Sequence, residues 1–175
     1  MILLLSTCSI ASANTIKPIS SADITADELN QYSFKKVGEA ELSVLFWSIY
    51  HSSLHSLDGS FIEKQRPIKL EINYLRDIEA ADLISKTADE WQQQGLNHAN
   101  QNIWLEQLKI IWPNIKENDT LTFIVDLQNQ SHFLFNQQSI GSISDEDFAD
   151  HFLAIWLSEK TSRPNLRKKL LGISK

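Results

Sequence analysis

Apolar and polar positions alternate with two different periods along this chain, and the switches between them mark its elements. The strongest pattern runs from Ser144 to Leu157, where Phe148, Phe152 and Ile155 recur at helical spacing and Ala149, Leu153, Trp156 and Leu157 widen the stripe. Ser144 reads as the N-cap, and Asp147 three residues later completes an Asp variant of the capping box. Asp145, Glu146 and Asp147 place negative charge at the positive end of the helix dipole. The two Phe and the Trp carry more apolar area than a surface helix needs. At roughly 25 cal/mol per Å² their burial supplies several kcal/mol, so this helix is expected to lie across the core.

Upstream the period is two. From Glu41 to His55, Leu42, Val44, Phe46, Ser48 and Tyr50 point one way, and Ser43, Leu45, Trp47, Ile49 and His51 the other. Both faces are apolar midway, which predicts one long central strand buried on both sides. Leu57-Asp58-Gly59-Ser60 is a turn. Ile68 to Leu75 alternates cleanly, with Lys69, Glu71 and Asn73 on a wet face, and Pro67 suits its start. A helix from Ile78 to Gln94 follows, capped by Asp77 and ended by Gly95, with Ile84, Ala88 and Trp91 inward. A second runs from Gln101 to Trp112 and stops at Pro113. Strands are expected over Thr120 to Gln128, Ser131 to Asn136 and Ser139 to Ile143, joined by turns at Asn129-Gln130 and Asn136-Gln137-Gln138. Pro164 opens a last helix, Asn165 to Leu171, closed by Gly172. The order is strand, strand, helix, helix, three strands, helix, helix. It predicts an α+β fold: an antiparallel sheet with helices on one face.

At 175 residues, 42% hydrophobic and 22% charged, the chain has the composition of one globular domain. A net charge of −6 without a basic face excludes nucleic acid as a partner. Met1 to Ala13 is a short apolar run ending in Ala-Ser-Ala, the pattern of a signal peptide cleaved after Ala13. The expected location is therefore periplasmic or secreted. The run is too short to span a bilayer. Cys8, the only cysteine, falls inside it, so the mature chain has none; lipid attachment at Cys8 is the alternative. Asn14 to Lys36 reads as an extended lead-in, and residues 37–175 as the domain.

No motif for catalysis stands out: the chain has no Gly-rich phosphate loop, no His-Glu-x-x-His and no nucleophile elbow. His51 and His55 share a strand face, but no third ligand for a metal stands near them, and no cofactor is expected. His151 reads as a solvated helix residue rather than a general base. Arg76-Asp77 has two readings, a bidentate anchor for a ligand carboxylate and a plain local ion pair. Five Trp and eight Phe fill a core or line an apolar pocket between sheet and helices. The cations near the C-terminus, Arg163, Arg167, Lys168, Lys169 and Lys175, suit the end of the final helix.

Two stretches, Val37 to Tyr50 and Leu70-Glu71-Ile72-Asn73-Tyr74-Leu75-Arg76-Asp77-Ile78, resemble bacterial chalcone isomerase-like proteins. So does the run from Phe133 through Gly141-Ser142-Ile143 and Phe148 to Leu157, and on to Thr161-Ser162-Arg163-Pro164-Asn165-Leu166-Arg167. The resemblance implies an open-faced antiparallel β-sandwich, with a ligand cleft between the sheet and a helical layer. The plant enzyme of this family closes a chalcone with an arginine ahead of its first long strand and a tyrosine after its second. Here Asn14 to Phe61 holds no Arg, Lys35 and Lys36 are the nearest cations, and no Tyr stands at Ala80 to Asp82. The resemblance therefore implies a non-catalytic protein, like relatives of the fold that bind fatty acids. Trp47, Tyr50, Phe148, Phe152 and Trp156 are expected to line the cleft, Tyr74 and Arg76 to anchor a polar group, and Asn136 to belong to the site. The rival readings are a weak isomerase using Lys35 or Lys36 and an interaction module without a ligand.

Overall fold

The protein is described by a computed structural model covering Leu29 and residues 32–173. The expected signal segment, Cys8 and most of the lead-in lie outside the described residues. The strands are β1 (Lys35–Val44), β2 (Trp47–Ser56), β3 (Ile68–Tyr74), β4 (Thr120–Val125), β5 (Ser131–Phe135) and β6 (Gln138–Ile143). Helices α1 (Ala80–Gln93) and α2 (Gln101–Ile111) fall between β3 and β4, and α3 (Glu146–Leu157) and α4 (Pro164–Leu170) follow β6. The six strands pair in chain order, each antiparallel to the next, into one sheet. Helices gather on one face, which is the expected α+β open-faced sandwich.

The core lies between that face and the helices. Ile68, Leu70, Ile72 and Tyr74 of β3, Leu121, Phe123 and Val125 of β4, and Phe133 of β5 are buried there. The late helix lies across them as its aromatic stripe requires. Phe152 stacks on Phe148 with ring centres 5.4 Å apart, and meets Phe123 at 4.7 Å and Phe133 at 5.6 Å. Trp156 continues the row at 5.3 Å from Phe152. On the opposite face Lys69, Glu71 and Asn73 stay partly exposed, while Leu29, Tyr32 and Phe34 cover Ile124 and Leu134.

The first strand expectation fails. Glu41 to His55 is not one central strand but the two arms of a hairpin that reverses at Leu45-Phe46, and β1 is an edge strand. Ser43 faces Ser48, and Val44 faces Trp47. Leu45 takes positive φ, 57°, so the turn closes without Gly, Asn or Asp, the residues that normally announce one. Its apolar residues point into solvent rather than into a core: Leu45 is 88% exposed, Phe46 98%, Trp47 63% and Val44 40%.

Two caps also shift. The N-cap of α3 is Asp145, not Ser144; its Oδ1 accepts from the Asp147 N–H at 3.1 Å. Its Oδ2 accepts from Trp104 Nε1 at 2.9 Å and Asn100 Nδ2 at 2.7 Å, which ties the start of α3 to α2. Only the longer reach of a carboxylate serves both helices. Burial alone would raise this carboxyl, but the bonds from Asn100, Trp104 and the Asp147 N–H outweigh it and hold it below 3.8. Asp77 does not cap α1, whose first N–H groups include Ala80, bonded to Asn114 Oδ1 at 2.9 Å. Asp77 instead accepts from Lys116 Nζ at 2.8 Å and the Glu117 N–H at 2.9 Å. Thr87, rather than Ala88, joins Ile84 and Trp91 on the buried face of α1.

Candidate ligand cleft

Between the sheet and the helices a cleft of about 310 Å³ opens at the β1–β2 end. That is at the lower end of the range of ~300–1,000 Å³ usual for small-molecule sites. The sheet supplies Leu42, Ile49, Tyr50, Ile72 and Tyr74, α1 supplies Leu83, and α3 supplies Phe152, Ile155 and Trp156. These positions follow from alternation: Tyr50 and Tyr74 are register partners across β2 and β3, so both rings rise from the same face. The rings meet edge to face, with centres 5.9 Å apart.

Two phenols stand among the polar groups of the wall, beside Thr87, whose hydroxyl donates to the Leu83 carbonyl oxygen at 2.9 Å, and the Trp112 indole. Tyr50 Oη accepts from Trp156 Nε1 at 3.0 Å, which leaves its own hydrogen free to donate. Burial pushes the Tyr50 phenol up to about 12 and raises Tyr74 as well. Both are therefore neutral donors across the physiological range. Full charges stand at the rim, where Asp82, Lys86 and Glu90 of α1 and Arg163 after α3 complete the wall. Lys86 lies 3.3 Å from Asp89, and Glu90 accepts from Ser162 Oγ at 2.8 Å. The Arg163 guanidinium has no ion-pair partner among the described residues.

Of the residues expected from sequence, Tyr50, Tyr74, Phe152 and Trp156 meet in this cleft and the other four do not. Trp47 and Arg76 stack on one another outside it, with the guanidinium carbon 5.0 Å from the ring centre, because the turn at Leu45-Phe46 carries Trp47 out of the core. Phe148 lies one turn too deep in α3 and is fully buried against Trp104 and Phe123. Asn136 serves its turn: it has positive φ, its Oδ1 accepts from the Thr120 N–H at 2.9 Å, and its Nδ2 donates to Asp119 at 2.8 Å. Sequence reasoning missed Lys86 and Glu90 as rim groups. Their only signal is spacing, since both lie close to Leu83 and Thr87 on one helix face.

Elsewhere the histidines take structural places. His151 is half-buried between Trp91, at 5.0 Å, and Trp104, at 5.2 Å, and its Nε2 bonds Gln101 at 2.6 Å, so it is not the solvated residue expected. Burial and the neighbouring His98 lower its pKa. Lys36, with Glu39, His51, Ser53 and His55, belongs to the other side of the sheet. Among the described residues no three His, Cys, Asp or Glu gather as metal ligands, and no helix is long and apolar enough to cross a membrane.

Comparison with known proteins places this arrangement. The family described as chalcone isomerase-like matches residues 39–172. An uncharacterized protein of Haemophilus influenzae is 27% identical over 142 residues, 81% of this chain and 70% of its own. The crystal structure of a fatty-acid binding protein of Arabidopsis thaliana superposes with a TM-score of 0.58 at 13% identity, covering 80% of this chain and 87% of that one. At that identity the likeness concerns the fold.

Proposed function

We propose that this chain, which belongs to the chalcone isomerase-like family, is an exported, non-catalytic protein that binds a fatty acid or similar apolar small molecule in the cleft between sheet and helices. The observation that carries the reading is the distribution of polarity: a largely apolar interior with two neutral phenols, and full charges, Arg163 and Lys86 with Asp82 and Glu90, only at the rim. An acyl chain enters tail first and its carboxylate stays at the mouth near Arg163 and Lys86, where water still solvates it. The likeness to a fatty-acid binding protein supports the shape of such a site. Against isomerisation, neither Lys35 nor Lys36 lines the cleft, and Lys36 lies across the sheet from it. A polarising group beside the substrate carbonyl is usually worth several kcal/mol of barrier, and Lys36 cannot supply it from there.

Native mass spectrometry and lipid extraction of the purified protein test this directly. An acyl chain is expected to co-purify, and added fatty acid to raise the melting temperature. Leu83→Trp, which fills the cleft from α1, is expected to fold and to lose the ligand. Arg163→Gln is expected to weaken a fatty acid by roughly tenfold and leave the matching fatty alcohol unchanged, because only the acid carries a charge for it. If nothing co-purifies and no acyl compound shifts the melting temperature, the carrier reading fails.

A further inference from the structure

The hairpin tip at Val44, Leu45, Phe46 and Trp47 has no role in the core and none inside the cleft beyond Val44. Single exposed apolar residues are ordinary, but four large ones in sequence at one turn form a patch that wants a partner. The turn itself does not demand them. Positive φ at its first residue and a two-residue loop are met best by Gly followed by a polar residue, and Leu at that φ is strained. The side chains are there against local preference.

Three further observations say what covers the tip. First, it is continuous with the mouth of the cleft: Leu42 and Val44 on one arm and Ile49 on the other line the opening, so whatever touches the tip also faces the cleft. Second, Arg76 lies over the Trp47 ring at 5.0 Å, setting a cation against the aromatic just where the apolar tip ends. A Trp ring under a guanidinium is suited to the headgroup layer of a bilayer, where the ring sits among acyl carbons and the cation meets a phosphate. Third, Leu45 and Phe46 form the turn itself and are 88% and 98% exposed, so their apolar area is free to insert.

We propose that Val44 to Trp47 is a bilayer-contacting element that seats the cleft mouth on a phospholipid surface, with Leu45 and Phe46 among the acyl chains and Arg76 at a lipid phosphate. The inference takes from the carrier reading only the reason for such a contact; the contact itself does not need an occupied cleft. Contact by insertion suits a chain of net charge −6, which a purely electrostatic mechanism would not draw to an anionic surface.

The test is flotation of the full chain with vesicles of phosphatidylcholine, and of phosphatidylcholine with phosphatidylglycerol, at low and high salt. Wild type is expected to float with both, with little loss at high salt. Leu45→Ser with Phe46→Ser is expected to partition roughly tenfold or more weakly, since about two side chains' worth of apolar burial is removed. The double variant should still take fatty acid from solution. A lipid-borne quencher should dim wild-type fluorescence, and Trp47→Phe should remove most of that change. The proposal is overturned if the double variant floats like wild type, or if the quenching does not depend on Trp47. It also falls if wild type stays in solution, or if the variant loses fatty acid uptake together with flotation. A tip that holds two copies together, read as a drop in particle mass on substitution, would overturn it too. Flotation with Trp47 quenching but no fatty acid uptake by wild type sinks the carrier reading and leaves the bilayer contact standing.

Discussion

Gly38 lies under the C-terminal helix, and a Cβ there would collide with the Lys169 and Leu170 carbonyl oxygens. Backbone cannot step aside as a side-chain end can, so Gly38→Ala is expected to cost about 1–3 kcal/mol in urea unfolding, with α4 loosened from β1. Asp145 is the second single-residue pivot. Asp145→Ala removes the cap of α3 and leaves Trp104 Nε1 and Asn100 without their acceptor, for an expected loss of about 2–3 kcal/mol. Titration gives a third test. Burial lowers His55 from 6.5 to about 4, with Lys69 adding to the effect, and burial also lowers His151. In that interval the unfolded chain binds protons that the folded chain refuses. Stability is therefore full above 6.5 and declines as pH falls toward 4. Melting temperatures at about pH 7 and about pH 5 should show the decline, and His55→Gln should flatten part of it.

At the level of elements, the β1–β2 hairpin and helix α3 make opposite use of apolar residues. In α3 the stripe is buried and holds the sheet: Phe152 alone touches Phe123, Phe133, Phe148, Trp112 and Trp156. Phe152→Ala is expected to cost about 3–5 kcal/mol and to widen the cleft, since neighbours packed edge to face close such a gap only in part. At the hairpin tip, by contrast, Leu45 and Phe46 stand in solvent and pack on no core residue. Replacing Leu45-Phe46 by Gly-Ser relieves the positive φ and removes exposed apolar area, so the melting temperature is expected to rise slightly. A fall would mean that the tip packs on something within the chain.

Over the whole molecule the sheet separates two chemistries. One face, with the helices, is dry and holds the cleft; the other carries Lys36, Glu39, His51, His55 and Glu71. That separation predicts no chalcone cyclisation. Incubation with a chalcone should leave its visible absorbance unchanged, in wild type and in Lys36→Ala alike. A loss of absorbance that Arg163→Gln or Lys86→Gln abolished would restore the isomerase reading, because Arg163 and Lys86 are the cations of the cleft wall.

Local periodicity was enough to find the strands with one wet face and the helices with one apolar stripe. Ile68 to Tyr74 and Phe148 to Leu157 show it, because one buried face forces period two in a strand and about 3.6 in a helix. Gly95 and Pro164 marked helix ends for reasons equally local, a positive φ of 67° and a fixed negative one. The hairpin at Leu45-Phe46 was invisible, since a continuous apolar run through a two-residue turn reads like the middle of a strand buried on both faces. Which aromatics reach the cleft was likewise decided in three dimensions. Phe148 and Phe152 share a stripe, yet only the packing of the other elements around α3 sets one in the filled core and the other at the cavity wall. A chain's own pattern fixes which face is dry; where that dry surface is left unfilled depends on how layers from distant parts of the chain meet.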